Sequence, residues 1–598
     1  MKVVLVGGTP YEHSAARGPS WDARKDFADS SYNYAIGLLK ACALADPEAS
    51  RATTIHLEDF AVKRTQRRFD DAQLHALLAQ EPDVVGFSCA CWNVHLFLAA
   101  AAQVRAERPD TVIVLGGPAA RNRPARLLEA SPSVDVVVCG DGERAFVELC
   151  RRGFDDPSGI ADIAFRDGDR ILLGPTSKTA LDLAELPSPY IDGTFVPRAQ
   201  SLLIEPSRGC RFRCRFCSWS TRSGGVRYAP PARVAAEVAW ATRGGYSGAS
   251  FCDSAINHDT TRFRELSDAV LEGDPAGALR LSVFLRHEEL DAEQLAILRA
   301  RPFQEIILGL ESIHATALAG CGKRPIDAAA LERTLAELGA TGSRVTLSVM
   351  SGLPSDTVRG FEQTLDYVED LQRRMPDVVD AICCFWLAVL PGTRYEADRE
   401  SLGFATPSWG TPYILRSRDF SEMDLRQMAT ILVERTRHNP RLFCEQVHVD
   451  VVEASDRELE AVLAGDGAGT SETRAVASVA AADASLLAPW SVREARDGWV
   501  LTRVEGSGGE ITWWFARAAG GVEVAVRVCP RDVARPQACF SRTRRYEIYY
   551  VGQPGPDLAG PALDALLIGV TRLVERNEGS AAPPPRAGAS TPRGSRSR

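Results

Sequence analysis

Cys210, Cys214 and Cys217 fall within eight residues of one stretch, EPSRGCRFRCRFCSW (205–219), with arginines and aromatic residues between them. Thiols at C-x3-C-x2-C spacing are metal-ligand chemistry. A structural zinc site wants four ligands, usually as two separated pairs. No CxxC pair follows later in the chain, and His258 or His287 would have to be drawn in from distant segments. A [4Fe–4S] cube instead takes one thiolate per iron. Three cysteines then leave one iron open to a substrate or cofactor. Most of the fifteen cysteines, Cys42, Cys139, Cys150, Cys321, Cys383, Cys384 and Cys444 among them, stand singly in apolar runs and read as small buried hydrophobes.

The loop needs elements to hold it. It follows an apolar run, SLLIEPS (201–207), and five more such runs alternate with helical periods up to Gly403: GASFCD, LRLSVFL, EIILGLES, RVTLSVMSGLP and AICCFWLAVLPG. This pattern predicts a partial (β/α)6, TIM-like barrel over 201–403, with chemistry at the strand C-termini. Those ends read SFCDSAINHD (250–259), FLRHEEL (284–290), GLES (309–312), SGLPSDT (351–357) and LPGTRYE (390–396). Each is polar or glycine-rich after an apolar run.

Residues 1–182 alternate five continuous apolar strands with amphipathic helices. Strands without polar alternation belong to a parallel sheet covered on both faces, so a doubly wound, Rossmann-like α/β domain is predicted. Such sheets bind ligands outside the carboxyl ends of their strands. Small residues stand there: Gly7, Gly8, Ser88, Gly116, Gly117, Gly140 and Gly142, followed by Glu143. A single glycine would simply make a tight turn, whereas several strand ends together suit a ligand surface. The first turn has no G-x-G-x-x-G, which argues against a dinucleotide. Residues 183–200 read as a linker and 404–484 as a helical extension around EMDLRQMATILVERT. Residues 485–578 read as a small α+β domain whose strands end in a helix at 563–575. A Pro, Gly, Ser and Arg tail occupies 579–598 and reads as disordered.

Bulk composition sets outer bounds. The chain has 598 residues, 45% hydrophobic and 25% charged, with a net charge of −9. That balance speaks against a non-specific nucleic-acid binder. No apolar run approaches the length of a membrane span. The opening MKVVLVGGTP reads as a buried strand, not a signal peptide, so a cytoplasmic location is expected.

The cysteine loop, placed after the first strand of a partial barrel with Phe216 before its third cysteine, resembles the radical S-adenosylmethionine (radical SAM) superfamily. The resemblance implies that Cys210, Cys214 and Cys217 hold a [4Fe–4S] cluster and that SAM chelates the open iron. It implies SAM contacts at Phe216, Asp253, Ser254, Arg286, Glu311 and Ser312. The first domain, with VVGFSCACWN, VIVLGGPAA and VVVCGDGE in order, is similar to the cobalamin-binding domain fused to many of these enzymes. It implies cobalamin contacts at Ser88, Trp92, Gly116, Gly117, Gly140, Gly142 and Glu143. The DxHxxG motif, whose histidine ligates cobalt from below, is absent, and an arginine of KRTQRR or Trp92 is the expected lower neighbour.

Together the two modules imply a C-methyltransferase. In most such relatives one SAM methylates the corrinoid, and a second yields a 5′-deoxyadenosyl radical that opens a substrate carbon to methylcobalamin. The domain order and short C-terminal module are similar to tryptophan 2-C-methyltransferases of thiopeptide antibiotic biosynthesis. For an indole, Trp386, Tyr395, Trp409 and Tyr413 are candidate pocket residues, with core packing as the plain alternative. The implied partners are a small-molecule or peptide substrate and an electron donor such as flavodoxin or ferredoxin. Two other readings stay open: a cyclisation or rearrangement without methyl transfer, and a non-catalytic iron–sulfur or zinc protein.

Overall fold

A computed structural model describes residues 1–10, 34–62, 66–197, 201–221, 225–300, 303–407 and 411–444, and the backbone of strands between 495 and 551. The chain divides into two compact units, Met1–His448 with Ser455–Asp466, and Val449–Ala454 with Gly467–Arg598.

The first sheet of unit one has the order β2-β1-β3-β4-β5-β6-β7. Its strands are β1 (Lys2–Pro10), β2 (Thr54–Val62), β3 (Val84–Ser88), β4 (Val112–Gly116), β5 (Val136–Val138), β6 (Ile163–Asp167) and β7 (Arg170–Leu173). The strands β1 to β5 run parallel, as their continuous apolar sequence requires. The strands β6 and β7 add an antiparallel edge, which the sequence reading missed. They are short, and the partly exposed β7 carries little hydrophobic signal. Alternate residues of each strand feed two cores. Val4, Val6, Phe87, Leu115 and Trp92 lie in one, and Val3, Leu5, Val84, Val114 and Val138 in the other. Helix Asp71–Leu78 starts from a capping box: Asp70 accepts from the Gln73 amide at 2.8 Å, and Gln73 accepts from the Asp70 amide at 3.1 Å.

The second sheet has the order β16-β15-β14-β13-β12-β11-β8, all parallel. It comprises β8 (Ser201–Ile204), β11 (Gly248–Phe251), β12 (Arg280–Leu285), β13 (Glu305–Glu311), β14 (Arg344–Ser351), β15 (Val379–Trp386) and β16 (Leu442–Cys444). The first six are the strands expected of the partial barrel. The strand β16 extends the sheet beyond residue 403, where a helical extension was expected. At three residues it is too short to show a period. A separate two-stranded ribbon, β9 (Ser207–Arg208) with β10 (Arg227–Tyr228), frames the cysteine loop on both sides.

The expected linker is not loose. Leu183 and Tyr190 are buried, the Tyr190 ring stacks on Trp240 at 5.3 Å, and its hydroxyl donates to the Leu203 carbonyl.

Unit two contains an antiparallel sheet, β17 (Ala495–Arg496), β18 (Trp499–Ser507), β19 (Glu510–Arg517), β20 (Glu523–Pro530), β21 (Ser541–Arg542) and β22 (Tyr546–Val551), in the order β17-β18-β19-β20-β22-β21. The expected helix at 563–575 and the tail at 579–598 lie outside the described residues.

Candidate functional site

The cysteine loop leaves β9 through Gly209, whose φ of +103° is open to glycine. A Cβ at Gly209 would sit 2.4 Å from the Gly225 carbonyl oxygen, so the loop's two ends pinch together there. Ser254, just past β11, donates to the Gly209 carbonyl at 2.9 Å and contacts His258 Nε2 at 2.8 Å. The β11 end therefore holds the base of the loop.

Cys210, Cys214 and Cys217 form no disulfide and are half-buried. Burial pushes the Cys217 thiol up to about 12, and the proximity of Cys214, Cys210 and Glu311 adds to the rise. That mutual influence places all three sulfurs and Glu311 in one neighbourhood. Yet among the described residues no three Cys, His, Asp or Glu side chains converge tightly enough to hold a single metal ion. Thiolates bound to different irons of a cube need not share one point, whereas zinc ligands must. Cys321 also lies near Cys214, but it is fully buried and its thiol faces the Leu318 carbonyl at 3.2 Å. The spacing of the loop and the packing of Cys321 thus agree on three available thiols.

Arg286, just past β12, places Nη1 3.5 Å from Cys214 Sγ. Its guanidinium lies 4.3 Å from the Phe212 ring centroid and pairs with Glu288. Asn257 fixes the backbone at this point, accepting from the Arg286 amide at 2.9 Å and donating to its carbonyl at 3.0 Å. A fixed positive charge beside a sulfur favours the thiolate form. His258 is held neutral: burial and the charges of Arg211 and Arg286 lower it to about 4.

Glu311, at the end of β13, has φ of +68° beside a register shift between Gly309 and Glu311. A non-glycine residue in this region is strained, and such strain persists where the surroundings over-determine it. Here Lys323 Nζ lies 2.9 Å from Glu311 Oε1 and also donates to the Gly309 carbonyl. A Cβ at Gly309 would sit 2.6 Å from that same carboxylate oxygen. Phe216 is half-buried within the loop. Asp253 and Ser312 are enclosed, at 1% and 0% exposure. Asp253 accepts from Ser207 beneath the loop, and Ser312 faces Asp356 and Thr364. Of the expected SAM contacts, the structure gathers Phe216, Ser254, Arg286 and Glu311 around the cysteines and buries the other two in support.

At the strand ends of the first sheet lies an apolar cavity of about 200 Å³. Ser88, Gly116, Gly117, Gly140, Gly142 and Glu143 line it, beside Leu5, Ile36, Val114 and Phe146. A Cβ on Gly116 would meet only Val138, at 3.8 Å, so this position opens onto space. Trp92 is the exception: it packs into the core on the opposite face of the sheet. Of KRTQRR, residues 63–65 lie outside the described residues.

Buried charges join this cavity to the cysteine loop. Arg208, on β9, reaches Glu143 Oε1 at 2.5 Å with Nη2 and holds Glu205 through two bonds at 2.7 and 2.8 Å. The side chains of Arg208, Glu143 and Glu205 are 6%, 8% and 10% exposed. Asp141 takes Arg227 at 2.7 Å and Arg121 at 3.2 Å. Sequence reasoning singled out neither Arg208 nor Glu205, although a Glu and an Arg three apart behind an apolar strand were a visible signal.

The proposed indole pocket fares differently. Trp386 is buried and donates Nε1–H to the Ile414 carbonyl at 3.1 Å. Tyr395 is fully buried, its hydroxyl 3.1 Å from the Gly320 carbonyl and its ring under Arg215. Both are packing residues. Tyr413 is half-buried, and Trp409 lies outside the described residues.

Comparison with known proteins agrees with this architecture. The B12 binding domain model matches residues 49–150, and the radical SAM superfamily model matches residues 204–368. A cobalamin-dependent radical SAM methyltransferase, TokK, of Streptomyces tokunonensis is 32% identical over 231 residues, covering 36% of this chain and 33% of that one. The 2-(S-pantetheinyl)-carbapenam-3-carboxylate methyltransferase of Streptantibioticus cattleyicolor is 30% identical over 249 residues, 39% of this chain and 36% of that one. The matched segment thus spans about a third of either curated relative. The structure of TsrM from Kitasatospora setae, with tryptophan and a SAM analogue bound, superposes with a TM-score of 0.55 at 17% identity, covering 78% of this chain and 95% of that one. At that identity the likeness is one of fold. No described helix is long and apolar enough to cross a membrane. The chain carries a B12 binding domain followed by a radical SAM domain and is homologous to the cobalamin-dependent radical SAM methyltransferases.

Proposed function

We propose that the chain is a C-methyltransferase that uses a [4Fe–4S] cluster, SAM and cobalamin to methylate a carbon of a small-molecule or peptide substrate in natural-product biosynthesis. The observation that carries this reading is the cysteine loop: three half-buried thiols at C-x3-C-x2-C spacing, with a guanidinium 3.5 Å from the second of them. Cys210, Cys214 and Cys217 would hold the cluster. The thiols fit it, being outside any disulfide, close to one another and gathered at strand C-termini. The cavity at the strand ends of the first sheet fits part of a corrinoid: its apolar walls and size suit a flat bicyclic base, not the ring itself.

When bound, the cofactors supply one-electron and methyl-transfer chemistry. The protein supplies position and charge. Arg286 offsets negative charge at Cys214, and Asn257 holds Arg286 in place. Cys217, raised to about 12, must give up its proton on ligation, so cluster assembly releases protons. The strained Glu311, clamped by Lys323, presents a carboxylate near the thiols to a hydroxyl or ammonium donor. A flavodoxin or ferredoxin would supply electrons, and a cytoplasmic location suits such a donor.

L-Tryptophan, methylated at C2, is the first substrate to test. The higher identity to a carbapenam carboxylate methyltransferase makes a carbapenam the second. The test is anaerobic incubation of the reconstituted protein with methyl-deuterated SAM, cobalamin, reductant and each substrate. A product carrying the deuterated methyl group on carbon is expected. A turned-over product without label would replace methyl transfer by rearrangement. An iron-free protein with one zinc would overturn the reading altogether.

A further inference from the structure

Among the described buried carboxylates with an unpaired oxygen, Glu143 is the one that lines the strand-end cavity. It is 6% exposed, and its Oε1 is taken by Arg208 at 2.5 Å, yet its Oε2 is enclosed without a hydrogen-bond partner among the described residues. Buried carboxylate oxygens are costly to leave unpaired, so an unpaired one beside a cavity points to a missing donor. Glu143 lines the apolar cavity at the strand ends, together with Glu205 and Arg208. It also borders a wider groove of about 1030 Å³ that shares Arg121, Gly140 and Asp141. The residue sits in the first turn of helix Gly142–Arg151, where an anion is favoured even without a ligand.

Resting on the reading of the cavity as a corrinoid site, we propose that Glu143 Oε2 accepts a hydrogen bond from a ribose hydroxyl of the cobalamin nucleotide tail. A 200 Å³ apolar cavity admits a nucleotide base and excludes a corrin ring, so from the side of this cavity the tail is the part of the ligand that reaches Glu143. An acidic side chain that binds ribose beside the crevice of a parallel sheet is an established device. The consequence is a direct tie between the two modules. One oxygen of Glu143 meets the ligand, and the other meets Arg208, two residues before Cys210.

The test is absorbance titration of the full-length protein with hydroxocobalamin and with dicyanocobinamide, which lacks the nucleotide. Glu143→Leu keeps most of the side-chain bulk and removes both carboxylate oxygens, leaving no polar group to meet the ribose hydroxyl. Its cobalamin affinity should fall roughly 10-fold or more, while its cobinamide affinity stays that of the wild type. Glu143→Ala should behave alike, and Arg208 keeps Glu205 in both, so iron content and far-UV circular dichroism should hold. Unchanged cobalamin affinity in either folded variant, or an equal fall for both corrinoids, would overturn the assignment. A wild type that binds neither corrinoid would instead overturn the corrinoid reading itself.

Discussion

The sulfur of Cys214 lies 3.5 Å from the Arg286 guanidinium. Cys214→Ala is expected to cut bound iron from about four per chain toward zero, read by iron and sulfide analysis after anaerobic reconstitution. His95 makes a second prediction at the scale of the residue. It is 5% exposed, its Nε2 lies 3.0 Å from the Gln66 carbonyl, and burial lowers it to about 4, with Arg67 adding to the effect. The neutral ring with its proton on Nε2 satisfies that carbonyl. Between pH 6.5 and 4 the unfolded chain binds a proton that the folded chain refuses. Stability is therefore complete above pH 6.5 and lost as pH falls to 4, by about 3 kcal/mol for this residue. Denaturation midpoints measured across that range should fall less in His95→Leu than in the wild type.

At the scale of the element, the loop depends on a pinch, not on a cap. Gly209 combines φ of +103° with a backbone oxygen 2.4 Å from where a Cβ would stand. Gly209→Ala must move the loop off β10, at a cost of about 1–3 kcal/mol. Iron incorporation should fall sharply while far-UV circular dichroism stays near that of the wild type. Full iron incorporation in this variant would show that the loop closes without the pinch. The elements themselves were largely legible. Continuous apolar runs such as VVGFS and EIILGLE carry their strand identity locally, and burial on alternate faces follows from the pleat. The strands β6, β7 and β16 were not legible, because they are short and stand outside the regular strand–helix alternation that marked equally short strands such as β5 and β11.

At the scale of the whole molecule, contacts of two kinds, buried and partly exposed, join the first sheet's strand-end loops to the barrel within unit one. Arg208 is buried with Glu143 and Glu205, whereas Arg123 meets Glu396 at 2.9 Å with 20% and 28% of the side chains exposed. The two should differ in magnitude. Arg208→Met strands two buried carboxylates and should cost about 3–5 kcal/mol. Arg123→Ala removes a solvent-screened pair and should cost under ~1 kcal/mol. Urea denaturation of the two variants measures both, and equal losses would mean that the buried network is not what joins the modules.

The cysteine spacing and the strand rhythm determined the cluster loop, the partial barrel and the doubly wound sheet, because each depends on residues close in sequence. Only the tertiary structure decided where the polar residues named from the sequence lie. It buried Asp253 and Ser312 beside Ser207 and Asp356, put Trp92 in the core on the far face of the sheet, and brought Glu143 to Arg208 across 65 positions. The reason is physical: a charge declares its type in the sequence, but its burial and partner arise from chain segments that meet only on folding.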